Sequence, residues 1–230
     1  MAFPTYHKVH SVFKRTERGV FIDGDWARPE FAYLADCPWV WTEKVDGTNI
    51  RIGLDDDEAE ECCGVSRRFR IGGRTDSAQI PATLIEAINA LGLEPKMREQ
   101  FPDGDVTLYG EGYGARIQKG GGNYRADQGF VLFDVRVGRW WLTRDAVEEV
   151  GAALGLDVVP LVANGPLSSM VETFRLYATD GEAITSHWGA FAAEGIVGTP
   201  AVPLFARDGS RVIVKLKHKD FDRLRREQSC

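Results

Sequence analysis

Apolar and polar residues alternate through Trp39-Val40-Trp41-Thr42-Glu43-Lys44-Val45, and the pattern resumes over residues 48–54. A period of two is the mark of a half-buried strand. Asp46-Gly47 between the two runs is a strong hairpin signal and predicts that they pair. The alternation puts Trp39, Trp41, Glu43 and Val45 on one face and Val40, Thr42, Lys44 and Asp46 on the other. Residues 106–111 and 130–137, rich in β-branched and aromatic side chains, predict two more strands. Gly138 turns the second of these back into Arg139-Trp140-Trp141-Leu142, and residues 195–199 and 211–216 complete the set.

The period changes over residues 81–91, where Leu84, Ile85 and Ile88 share a helical face and Gly92 is the stop. Thr143 is placed as the N-cap of a helix running to Leu154, with Gly155 just past its end. Ser169 and Glu172 have capping-box spacing and predict a helix toward Tyr177. A short charged helix is expected to close the chain. Residues up to Ala35 show no clear period, residues 55–61 read as a solvated acidic turn, and Gly120-Gly121-Gly122 reads as a flexible loop tip. Strands joined mostly by hairpins, with helices between some of them, give an α+β fold with antiparallel sheets. There is no repeat, low-complexity tract or long linker, and 230 residues suit one domain.

Composition narrows the function. The 34 acidic residues outnumber the 28 basic ones, which excludes a uniformly basic coat for nucleic acid but leaves room for a local groove. Candidates to line it are Arg67, Arg68, Arg70, Arg74, Lys119, Arg125, Arg223, Arg225 and Arg226, and binding through them would weaken steeply with salt. No apolar run reaches the roughly 18 residues that span a bilayer, and the N-terminus lacks a signal-peptide layout, so a soluble cytoplasmic protein is expected. Cys37, Cys62, Cys63 and Cys230 form no C-x-x-C pair and are expected to be reduced thiols. His7, His10, His187 and His218 form no metal motif.

No Walker-type loop occurs, and Gly110-Glu111-Gly112-Tyr113-Gly114 has the wrong spacing for a dinucleotide fingerprint. A nucleotide would therefore be held by lysine and arginine. Read alone, Lys44 and Asp46 make a surface pair; read as chemistry, Lys44 is a nucleophile whose amine must be neutral to attack. Arg211, Lys215 and Lys217 share one face of a predicted strand, suited either to solvent or to phosphate. Glu111 and Glu194 lie beside glycines at strand ends, where a magnesium–phosphate site could use their oxygens. Phe133 lies in an apolar run that core packing alone would explain.

In order along the chain, these pieces resemble the covalent lysyl-nucleotidyltransferases, the superfamily of polynucleotide ligases and mRNA capping enzymes. Lys44-Val45-Asp46-Gly47 matches its K-x-D-G motif. Leu108-Tyr109-Gly110-Glu111, Phe130-Val131-Leu132-Phe133-Asp134-Val135, Glu194-Gly195-Ile196-Val197 and Val214-Lys215-Leu216-Lys217 resemble motifs III, IIIa, IV and V. Arg74-Thr75 and Ser66-Arg67 are alternatives for motif Ia, with Arg74 preferred. Glu43-Lys44-Val45-Asp46-Gly47-Thr48-Asn49 and the opening from Tyr6 to Arg15 look most like the RNA ligase 2 group.

The resemblance implies the adenylyltransferase (ATP-grasp-like) fold of polynucleotide ligases over residues 1–230. The chain departs from the family in one respect: family ligases generally carry a further domain after motif V, whereas here a near-minimal core with no separate C-terminal domain is expected. It implies that Lys44 takes AMP from ATP, passes it to a 5′-phosphate end and that a 3′-hydroxyl then displaces it. Lys215 and Lys217 would grip phosphates, while Asp46, Glu111 and Glu194 would position magnesium, or manganese in its place. Phe133 would stack on adenine, Glu43 would read its edge, Glu111 would reach the ribose, and Arg74 and Asn49 would meet a phosphate or the incoming end. The expected substrate is nicked or broken RNA, with DNA ends, a guanylyltransferase or an inactive nucleic-acid-binding module as alternatives. No membrane partner is expected, and the sequence is silent on oligomeric state.

Overall fold

The Asp46-Gly47 step joins two different sheets and does not fold one strand back onto the next. In a computed structural model, which describes residues 3–56 and 67–221, the chain opens with β1 (His10–Ser11), β2 (Phe13–Arg15), β3 (Phe21–Trp26) and α1 (Pro29–Tyr33). Next come β4 (Pro38–Glu43), β5 (Thr48–Asp56), β6 (Arg67–Gly73), α2 (Ala82–Ala90), α3 (Leu93–Gln100) and β7 (Val106–Gly114). The remainder is β8 (Gln128–Val137), β9 (Trp140–Trp141), α4 (Arg144–Leu154), β10 (Leu161–Pro166), α5 (Leu167–Asp180), β11 (Gly195–Pro200) and β12 (Val214–Lys217). This is an α+β fold built mainly on antiparallel pairing, as the alternation predicts. Cys62, Cys63, Ser66, Arg223, Arg225, Arg226, Cys230, most of the acidic run 55–61 and most of the expected closing helix lie outside the described residues.

Two compact units divide the chain: Met1–Tyr6 with Asp46–Val159, and His7–Val45 with Pro160–Cys230. The first holds a sheet in the order β6-β5-β7-β8-β9. One face of it carries Ile50, Ile52, Leu54, Val106, Leu108, Phe130, Leu132 and Val135, which pack with Leu84 and Ile88 of α2, Leu93 and Met97 of α3, and Val147, Val150 and Leu154 of α4. Burying these side chains is what fixes the strand register, since a one-residue slip would exchange the two faces. The second unit holds β1-β12-β11-β4-β10 and the β2–β3 pair, with Trp39, Trp41, Ile196, Val214 and Leu216 packed with Leu167, Val171 and Phe174 of α5.

The strand expected from 39 therefore exists, but β4 pairs with β10 and β11, and β5 with β6 and β7. Gly47 fits this crossing for a steric reason: a Cβ there would stand 2.3 Å from the Gly112 carbonyl oxygen. α5 starts two residues before Ser169, directly after Pro166, because Leu167 belongs to the buried core and Ser169 falls inside the helix. β12 begins at Val214, not at Arg211; Arg211 is buried and makes an isolated bridge with Phe205. Asp55 continues β5 opposite Arg68 and carries Arg70 on its carboxylate, so the acidic run starts in a strand.

Candidate active site

The second unit brings together four residues singled out in the sequence. β4 stops at Glu43, and the Lys44 N–H donates to the Gly195 carbonyl at 3.0 Å. Lys44 Nζ lies 2.5 Å from Glu194 Oε2, while Lys217 Nζ donates to the other oxygen, Oε1, of the same carboxylate. Glu194 ends up there because β11 and β12 run antiparallel with Gly195 opposite Lys217. They approach so closely that a Cβ on Gly195 would sit 2.0 Å from the Leu216 carbonyl oxygen. Alternation along β12 buries Val214 and Leu216 and leaves Lys215 and Lys217 on the half-exposed side.

Burial pushes the Glu194 carboxyl up, but Lys44 and Lys217 more than offset it and hold it below its ordinary value. Lys215 is lowered, first by burial and then by the positive charges of Lys217 and Lys44. Three cations around one carboxylate leave a surplus of positive charge in a partly buried place. That surplus suits a polyphosphate.

Glu43 is held by partners the sequence did not point to. It lies on the Trp39–Trp41 face, fully buried, where it accepts from Ser186 Oγ at 2.6 Å and from the His187 N–H at 2.9 Å. The His187 ring Nδ1 stands 3.3 Å from the same carboxylate. Each Glu43 oxygen thus accepts one hydrogen bond from the Ser186–His187 stretch. The alternation had already put it on the apolar face; Ser186 carried no signal of its own, and His187 stood out only as a histidine.

The remaining residues lie in the first unit. Asn49 stands opposite Glu111 across β5 and β7. Its Oδ1 is buried with no hydrogen-bond partner among the described residues. Glu111 is partly exposed, but the glycines around it serve packing. A Cβ on Gly110 would meet the Phe130 ring and the Val131 carbonyl oxygen at 2.3 Å, and one on Gly112 would meet Leu84 at 2.4 Å. Asp46 is partly exposed, and its N–H donates to the Tyr124 hydroxyl at 3.2 Å.

Phe133 is the extra residue of a β-bulge: Tyr109 pairs with Asp134, and Gly110 with Leu132. Its half-buried ring lies 5.0 Å from Tyr6, edge to face, and the Tyr6 hydroxyl donates to Asp134 at 2.9 Å. Tyr6 was absent from the expected site because nothing in the sequence pairs residue 6 with residue 133. Arg74 is exposed just after β6, whereas Arg67 donates to the Phe101 and Gly104 carbonyls.

Among the described residues, no three His, Cys, Asp or Glu side chains gather into a group that could hold an ion. The carboxylates thus make no preformed cage. They suit a cation that keeps most of its water and uses one or two protein oxygens, as magnesium does. No helix among these residues is long and apolar enough to cross a membrane.

A model of the RNA ligase family matches residues 37–217, and the chain belongs to that family. The match runs from just before β4 to the end of β12, so every motif from Lys44 to Lys217 falls inside it. A comparison with curated proteins gives no match. Among solved structures, a variant of Naegleria gruberi RNA ligase with AMP and Mn is similar over 98% of this chain and 60% of its own, at 17% identity and a TM-score of 0.65. Another variant, with ATP and Mn, aligns over 96% of this chain and 64% of its own, again at 17% identity, with a TM-score of 0.64. The same ligase with PPi gives a TM-score of 0.63 at 17% identity, over 99% and 64%. At such identities the likeness is one of fold. The chain spans less than two thirds of the length of these structures.

Proposed function

We propose that the chain is an ATP-dependent RNA ligase working through a lysyl–AMP intermediate. The observation that carries this reading is the Lys44–Glu194–Lys217 arrangement with Lys215 beside it. A surface lysine has no need of a partly buried carboxylate and two further lysines, whereas a nucleophile that must meet a triphosphate needs both charge and fixed aim.

After its ammonium gives up a proton to solvent, the Lys44 amine attacks the α-phosphorus of ATP; the N–P bond forms as the P–O bond to pyrophosphate breaks, and the nitrogen sheds a second proton to leave the phosphoramidate. Lys215 and Lys217 offset the charge that builds on the phosphoryl and leaving groups. AMP then passes from Lys44 to the 5′-phosphate of RNA, and a 3′-hydroxyl attacks that activated phosphate and expels AMP. Phe133, aimed by the bulge, stacks on adenine, and Arg74 and Asn49 meet a phosphate or the incoming end. Glu194, Asp46 and Glu111 are the carboxylates that would hold a divalent ion, magnesium or manganese, mostly through water, and the ion would supply charge to offset the phosphates.

Intact-protein mass after incubation with ATP and magnesium tests this. The parent chain should gain one AMP, and Lys44→Ala none. No adduct with ATP, GTP or NAD, on protein first cleared of any resident AMP, would sink the proposal and favour a nucleic-acid-binding role.

A further inference from the structure

The turn that follows the nucleophile carries backbone groups that no strand ladder satisfies, because β4 ends at Glu43 and β5 begins at Thr48. One loop of the first unit meets two of them. The Asp46 N–H donates to the Tyr124 hydroxyl oxygen at 3.2 Å, and Gln118 Nε2 donates to the Gly47 carbonyl at 3.0 Å.

That loop, between β7 and β8, is not the flexible glycine tip its sequence suggests. Gly121–Asn123 form a single 3-10 turn, and the Ala115 N–H is shared between the Arg125 and Asp127 carbonyls. A Cβ on Gly121 would lie 1.9 Å from the Gly114 carbonyl oxygen, so glycine permits a close approach there. Arg125 pairs with Asp127 at 2.6 Å and lies over the Tyr113 ring at 5.6 Å. Tyr124 is buried, its ring edge-on to Tyr113 at 6.1 Å. Arg116 is the one non-glycine residue at positive φ among those described, at 68°, a strain that a loop held in one shape can sustain.

We propose that Tyr124 is a positioning residue for adenylylation. Its hydroxyl fixes the Asp46 backbone and with it the aim of the Asp46 carboxylate, while Gln118 holds the next peptide group. This rests on Lys44-Val45-Asp46-Gly47 being the nucleotidyl-transfer motif. Tyr124 acts through Asp46.

Tyr124→Phe removes the hydroxyl and keeps the ring against Tyr113. Amide hydrogen exchange over residues 43–49 should then quicken by about 2- to 10-fold, the worth of one ordinary hydrogen bond, with β7 unchanged. The kcat for lysyl–AMP formation should fall by a similar factor and KM for ATP should hold. Gln118→Ala, at an exposed position, should move both readouts in the same direction. Unchanged exchange over 43–49 in Tyr124→Phe would overturn the inference whatever the activity. Faster exchange with an unaltered kcat would overturn the positioning role and leave only a structural tie. A parent chain that forms no adduct would instead remove the motif reading on which the proposal stands, an outcome visible before any variant is compared.

Discussion

Glu194 carries two ammonium groups on one carboxylate, and its pH behaviour follows from that. Its folded-state pKa lies below the ordinary 4.5, so it contributes stability that is fully present above 4.5 and lost as pH falls through the folded value. Glu194→Gln should therefore melt below the parent at pH 7, and the gap should close as the pH is lowered below 4.5 through the folded-state value. A gap that stays constant across that range would mean that the ion pairs carry no stability. Glu43 illustrates the opposite case at this scale. It neighbours Lys44 in sequence, yet its carboxylate is sealed against Ser186 and His187. Adjacent residues on a strand point to opposite faces, so adjacency to a nucleophile says little about access to it.

Among the elements, the β7–β8 pair decides most about the first unit. Strict alternation along β8 would put Leu132 and Asp134 on one face. The bulge at Phe133 breaks it, so that Leu132 and Val135 both reach the core while Asp134 turns to Tyr6. Nothing in Phe130-Val131-Leu132-Phe133-Asp134-Val135 marks where an extra residue enters, because a bulge depends on what the partner strand offers. Here the partner offers Gly110, whose bare α-carbon leaves space for the Phe130 ring. Gly110→Ala should destabilise the protein by about 1–3 kcal/mol, the usual cost of overpacking, because a ring and a backbone carbonyl both stand in the way. Thermal unfolding checks this, and a melting point equal to the parent's would show that the strands can part without cost.

For the molecule as a whole, a charge of −6 would leave the proposed binding of RNA to a few local cations. Of the six described arginines and lysines expected to line a groove, Arg67 is bonded to two carbonyls, Arg70 to Asp55 and Arg125 to Asp127. Arg68, Arg74 and Lys119 are exposed. With those three as the phosphate contacts, log affinity for single-stranded RNA should fall with log salt at a slope of about −2, against about −4 for all six. Titrations between 50 and 200 mM salt, on the order used to resolve such slopes, would measure it. Arg74→Ala should flatten the slope by about 0.7 and Arg70→Ala should leave it unchanged. Equal effects from the two would refute this division of the charges.

The sequence by itself determined the elements and the order of the motifs. Alternation in 39–43 and 214–217 is a local consequence of the pleat, and Gly92 and Gly155 end their helices by conformational freedom that no neighbour has to supply. Tertiary structure alone decided which strands pair, and therefore that Asp46-Gly47 crosses between sheets where a hairpin was expected. It also brought Glu194 between Lys44 and Lys217, Ser186 to Glu43, and Tyr124 to Asp46, pairs separated by 23 to 150 residues. Local sequence can specify a dihedral angle or a face. Which distant groups meet is set by the one packing that buries both apolar faces at once, and no short stretch of the chain contains that information.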